Sequence, residues 1–128
     1  MSPNSGQPRH ILIVDDEAIS LLALQRFLER RGFRVSTAGD GYQALRIHAA
    51  DPADVVVSDI RMPQLGGREL LGHLRRAKPD QQVIIMTGHN LPGEDLDGGG
   101  PPVPILLKPI DAEELLQRLR EMTGYRGA

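Results

Sequence analysis

Apolar residues arrive along this chain in short blocks set between polar segments. Ile11-Leu12-Ile13-Val14 is a continuous run that stops at Asp15-Asp16-Glu17. A run this short, apolar at every position, reads as a strand buried on both faces, as in a parallel sheet. Val55-Val56-Val57, ending at Ser58-Asp59, reads the same way, as does Val83-Ile84-Ile85-Met86, ending at Thr87-Gly88. Residues 33–38 alternate like a half-buried strand. Residues 103–107 supply a fifth strand, which Pro104 confines to a sheet edge because proline has no N–H for a central ladder.

Between these runs the period changes to that of a helix. Leu21, Leu24, Phe27 and Leu28 recur three and four apart within 18–31, with Gly32 as the stop. A second helix spans 42–50, between the Gly39-Asp40-Gly41 turn and Asp51-Pro52. A third spans 68–77, after a loop over 62–67, and closes at Pro79. Asp111 is an N-cap for the last helix with Glu114 three residues on, the capping-box spacing, and Leu115, Leu119 and Met122 form its apolar stripe. Residues 88–104 depart from the pattern. They hold five Gly and four Pro, too many breakers for more than a single helical turn over 93–97.

Strand–helix alternation of this kind predicts an α/β fold with a doubly wound parallel sheet of five strands. The helix between strands 4 and 5 is missing or degenerate. Composition narrows the setting. The length of 128 residues suits one core. It divides into a loose tail over 1–9, a folded unit over 10–123 and a C-terminal tail over 124–128. Absence of Cys excludes disulfides, thiol nucleophiles and Cys-ligated metal sites. A net charge of −2 with mixed signs argues against direct nucleic-acid binding. No apolar run has the length of a membrane span, and residues 1–9 lack the apolar core of a signal peptide, so a cytoplasmic location is expected. The four histidines, His10, His48, His73 and His89, are scattered and read mostly as surface residues. Phosphotransfer through His48 or His73 on helices is the weaker reading.

Ligands of parallel sheets sit beyond the carboxyl ends of the strands. Here those ends carry Asp15-Asp16, Asp59, Thr87 and Lys108. Three converging carboxylates repel one another and call for a cation. Oxygen ligands without Cys favour Mg²⁺ over zinc. A carboxylate such as Asp59 can attack phosphorus and become an acyl phosphate, with Lys108 offsetting the charge and Thr87 bonding the phosphoryl oxygens. Each residue alone has a plainer reading: Asp15-Asp16 as a helix cap, Asp59 as a turn residue before Met62-Pro63, Lys108 as a solvated lysine.

Taken in order and spacing, these segments resemble the receiver domain of two-component response regulators over about residues 10–122. The resemblance rests on Ile-Leu-Ile-Val-Asp15-Asp16-Glu17, on Val-Val-Val-Ser-Asp59-Ile-Arg-Met-Pro63 with Gly67, on Ile-Ile-Met-Thr87-Gly88, and on Lys108-Pro109. It implies a flavodoxin-like strand order 2-1-3-4-5 and a phosphoryl group accepted on Asp59 from a sensor histidine kinase or phosphotransfer protein. It implies Mg²⁺ held by Asp15, Asp16, Asp59 and the backbone carbonyl of Arg61, with Thr87 as switch hydroxyl, Lys108 as phosphate-binding cation and a cis Lys108–Pro109 bond. Such a protein catalyses only its own phosphorylation and dephosphorylation and is not a conventional enzyme. Arg61 and His89 occupy rim positions that tune phosphate lifetime in the family. Ile19 and Leu22 project from the first helix opposite Leu24 and Leu28, which suggests a docking patch for the kinase.

The chain also departs from the family. The segment 88–104 replaces a regular helix, and Ile105 stands where an aromatic ring usually switches inward. Signalling through another surface, or ordering of that segment on phosphorylation, are the two consequences. A free-standing regulator, a relay intermediate and a receiver cut from a longer chain all fit, and a homodimer stays open. A receiver-like scaffold acting without phosphorylation is the alternative. A Mg²⁺-dependent aspartate phosphatase is disfavoured, because Arg61 stands two residues after Asp59 where such enzymes place a second Asp.

Overall fold

The computed structural model describes residues 9–88 and 100–127. Its elements run β1 (His10–Val14), α1 (Ala18–Arg30), β2 (Arg34–Ala38), α2 (Gly41–Ala50), β3 (Val55–Asp59), α3 (Gly67–Ala77), β4 (Gln82–Thr87), β5 (Ile105–Leu107) and α4 (Ala112–Thr123). The five strands form one sheet in the order β2-β1-β3-β4-β5, and every pair is parallel. The expected doubly wound, flavodoxin-like fold is the fold observed. Among the described residues no helix lies between β4 and β5; the single turn expected over 93–97 lies outside them.

The continuous apolar runs explain the two-sided burial. Successive strand residues point to opposite faces. Ile11, Ile13, Val55, Val57, Ile84 and Met86 therefore pack on one side with Leu24 and Leu28 of α1 and Leu115, Leu116 and Leu119 of α4. Leu12, Val14, Val56, Val83 and Ile85 pack on the other with Ala44 of α2 and Leu70, Leu71 and Leu74 of α3. A strand apolar on one face alone could not support helices on both.

Several local expectations shift. Gly67, expected in the loop, is the first residue of α3. A Cβ there would lie 2.5 Å from the Asp59 carbonyl oxygen and 3.0 Å from Ile60 Cα. Gly67 is thus the residue that lets α3 start against the end of β3. Gly67→Ala is expected to destabilise the fold by about 1–3 kcal/mol through overpacking. Gly72, mid-α3, meets nothing closer than Arg76 Nη2 at 3.8 Å; Gly72→Ala is expected to stabilise by about 0.5–1 kcal/mol through helix propensity. Urea unfolding of the two variants checks both signs.

β5 is shorter than the expected 103–107. Pro104 lacks an N–H, so pairing begins with its carbonyl, which accepts from Ile85 N–H at 3.0 Å, and β5 sits at the sheet edge as expected. Asp111 caps α4, accepting from the N–H groups of Glu113 and Glu114. Tyr125, read as tail, is docked: its ring meets Phe33 edge-on at 5.2 Å and its hydroxyl donates to the Gly32 carbonyl at 3.0 Å.

His10 corrects the surface reading of the histidines. It is the first residue of β1 and is 2% exposed. Its Nδ1 bonds the Pro52 carbonyl at 3.0 Å and its Nε2 bonds Ser36 Oγ at 2.7 Å. His48 is half-buried nearby and accepts from the Ala53 N–H on Nδ1 at 3.0 Å. Burial lowers its pKa below the usual 6.5, and the nearby Lys78 and His10 act in the same direction, against a hydrogen bond with Gln81. A depressed histidine pKa means that the neutral ring contributes stability above about pH 6.5, lost as pH falls below that value. Urea midpoints at pH 7.5 and 5.5 are expected to fall further for the wild type than for His48→Gln.

Candidate functional site

The site forms at the carboxyl ends of β1, β3, β4 and β5, where parallel pairing brings four chain-distant residues together. Asp15 follows β1 directly and is 1% exposed; Asp59 ends β3 and is 8% exposed; Asp16 is exposed. One ligand oxygen from each of the three lies within 4.8 Å of the others. Two oxygens bound to one hard divalent cation at 2.0–2.6 Å are at most about 4–5 Å apart, so the donor set fits such an ion in both chemistry and spread.

Lys108 enters from beyond β5. Its Nζ donates to Asp59 Oδ2 at 2.8 Å and to Asp15 Oδ2 at 3.1 Å. Burial alone would lower its pKa, but the hydrogen bonds to Asp59 and Asp15 and their charges outweigh this, and the pKa is raised above its usual 10.5. The ammonium therefore stays protonated across the neutral range. One ammonium against three carboxylates still leaves the cluster anionic, which favours cation binding. The Lys108–Pro109 bond is cis, and Lys108 N–H donates to the Thr87 carbonyl at 2.8 Å.

Thr87 is the last residue of β4 and is 1% exposed. It follows Met86, the register partner of Asp59, so it lies one step beyond Asp59 on the neighbouring strand. Arg61 is exposed, and its backbone N–H reaches Asp59 Oδ1 at 3.4 Å. His89, expected at the rim with it, lies outside the described residues. Ile19 is 82% and Leu22 47% exposed on α1, as the helical period requires. Ile105 on β5 is exposed as well. A cavity of about 530 Å³ opens beside Asp15, walled by Ala23 and Leu24 of α1, Met86, and the Lys108–Ile110 turn.

Sequence reasoning missed the support around Asp59. Ser58 is fully buried and its hydroxyl donates to the Asp59 carbonyl at 2.9 Å, the same oxygen that Gly67 leaves room for. Asp15 also does two jobs, since Oδ1 accepts from the Glu17 N–H at 3.0 Å while Oδ2 meets Lys108. The buried position of Ser58 in an otherwise apolar run was the available signal.

The model of the response regulator receiver domain matches residues 11–120. The chain belongs to the response regulator receiver domain family. It is 37% identical over 118 residues to the response regulator MprA of Mycolicibacterium vanbaalenii, covering 90% of this chain and 50% of that protein. It is 33% identical over 116 residues to the transcriptional regulatory protein GlrR of Escherichia coli, covering 90% of this chain and 26% of that one. The receiver thus spans half or less of these relatives. Among solved structures, it matches the chemotaxis protein CheY4 of Vibrio cholerae with a TM-score of 0.81 at 28% identity, covering 90% and 98% of the two chains. It matches the response regulator TrrA of Thermotoga maritima, solved in complex with Mg²⁺-BeF, with a TM-score of 0.76 at 28% identity, covering 89% and 98%.

The expectation of no direct nucleic-acid binding is not borne out for this family, since relatives such as GlrR are named transcriptional regulators. The charge of a receiver reports only on the receiver, not on what a longer protein carries. Among the described residues, no helix is long and apolar enough to cross a membrane.

Proposed function

We propose that this receiver, over residues 10–123, accepts a phosphoryl group on Asp59 from the phosphohistidine of a sensor histidine kinase or phosphotransfer protein. The observation that carries this reading is Lys108 Nζ held between Asp59 Oδ2 and Asp15 Oδ2 beside the cluster of three carboxylates. An Asp59 oxygen attacks phosphorus, the bond from phosphorus to the histidine nitrogen breaks, and that nitrogen leaves with the electron pair and later takes a proton. The product on this chain is an acyl phosphate.

Asp15, Asp16, Asp59 and the Arg61 carbonyl would hold Mg²⁺, which when bound neutralises charge on the transferring group. Lys108 supplies a fixed ammonium to the phosphoryl oxygens, and the Thr87 hydroxyl bonds one of them afterwards. Ile19 and Leu22 form the docking patch for the donor protein, and Arg61 and His89 control access of the water that hydrolyses the acyl phosphate. The output is a conformational change read by a partner or a further domain. The binding of Mg²⁺-BeF by TrrA supports the reading at the level of a structural relative.

Incubation with Mg²⁺ and labelled acetyl phosphate tests it. Acid-stable, base-labile label that EDTA prevents is expected. An unlabelled wild type would instead favour the alternative, a scaffold that acts without phosphorylation.

A further inference from the structure

We propose that Arg75 is a positioning residue for the phosphoryl-transfer site: it ties the segment entering β5 to the end of α3, and so fixes the strand that carries Lys108. The proposal rests on the phosphoacceptor reading above.

β5 has three residues and, among the described residues, pairs on one side only, with β4. So short an edge strand contributes little to its own placement. The residues that lead into it include Gly100, Pro101, Pro102 and Pro104. Prolines cannot donate backbone hydrogen bonds, so this segment can be fastened mainly through its carbonyls. Arg75, in the last turn of α3, does this. Its Nη2 donates to the Pro101 carbonyl at 2.8 Å, while its Nε donates to the Gln81 carbonyl at 3.1 Å. Gln81 immediately precedes β4. One planar guanidinium therefore joins the backbone entering β4 to the backbone approaching β5, and those two strands are register partners. The rigid fork of arginine suits this task, and a lysine ammonium does not reproduce it.

Gly100 gives independent support. A Cβ on it would lie 2.8 Å from the Pro79 carbonyl oxygen and 2.9 Å from Arg75 Nη1. The Pro79 carbonyl is backbone and cannot swing aside, so a Cβ at residue 100 forces this segment or the guanidinium to shift. Past this anchor, Val103 packs on the core of the α2/α3 face, the Pro104 carbonyl accepts from Ile85, and β5 runs directly into Lys108. The carboxylates stand apart from this path, since Asp15 and Asp16 follow β1 and Asp59 ends β3. Loss of the anchor should therefore disturb the cation of the site and leave its cation-binding oxygens in place.

The test compares wild type, Arg75→Ala, Arg75→Lys and Gly100→Ala. Arg75→Ala and Gly100→Ala are expected to lower the maximal rate of labelling by acetyl phosphate about three- to tenfold through misplacement of Lys108. Mg²⁺ affinity, read by calorimetric titration, stays within about twofold because the oxygens at the ends of β1 and β3 do not move. Amide exchange over 103–107 rises while β1 and β3 keep their protection. Arg75→Lys, able to bond one carbonyl at a time, falls between Arg75→Ala and wild type. A wild-type rate in both Arg75→Ala and Gly100→Ala overturns the proposal. So does an equal loss of protection across β1, β3 and β5, which marks general structural support. A wild type that takes no label at all overturns instead the phosphoacceptor reading beneath it.

Discussion

Asp59→Asn is expected to abolish labelling by acetyl phosphate while leaving the fold intact. The amide oxygen of Asn is a poor nucleophile, and a neutral side chain cannot form an acyl phosphate. Its shape matches that of Asp, so the end of β3, with Ser58 bonded to the residue-59 carbonyl, is undisturbed. Lys108 keeps Asp15 as partner at 3.1 Å. Removing one of three neighbouring carboxylates also relieves their mutual repulsion, so the variant should fold at least as well as wild type without metal. Mg²⁺ affinity should fall, because one of three clustered ligand oxygens loses its charge. Label persisting on Asp59→Asn would place the acceptor elsewhere.

Lys108→Ala is expected to slow labelling by about 10²- to 10³-fold, the usual cost of removing one preorganised donor from a developing oxyanion. Two features make Lys108 preorganised. Its ammonium is held at 2.8 and 3.1 Å by carboxylates at the ends of two different strands, and its raised pKa keeps it charged across the neutral range. Its removal leaves Asp15 and Asp59 facing each other without a fixed cation, so Mg²⁺ binding should be retained or strengthened. A slow rate with intact Mg²⁺ binding separates loss of phosphoryl stabilisation from loss of the metal site. Equal loss of both would show that Lys108 serves only to hold the carboxylates together.

Much of the fold was legible because buried parallel strands leave an unambiguous trace. Runs such as Val55-Val56-Val57 cannot face water on either side, and the α/β alternation leaves few ways to cover them. The candidate site was legible as a cluster for a related reason. A parallel sheet gathers the residues at the carboxyl ends of its strands, so Asp15, Asp16, Asp59, Thr87 and Lys108 could be grouped before any contact was known. Boundaries were less visible. Gly67 and Pro104 act through neighbours rather than through propensity: Gly67 through space beside the Asp59 carbonyl, Pro104 through a missing N–H on an edge strand.

Hydrophobic period and strand–helix alternation are local or additive signals, so the layered α/β architecture and the acidic and basic groups at one sheet edge can be read along the chain. What lies within a few ångströms of what comes from three-dimensional packing. It buried His10 with Ser36, docked Tyr125 on Phe33, and placed Arg75 between the Gln81 and Pro101 carbonyls. Apart from the Arg75–Gln81 bond, these contacts join residues far apart in the chain. Their partners are chosen by the packing of whole elements, which no window of sequence contains.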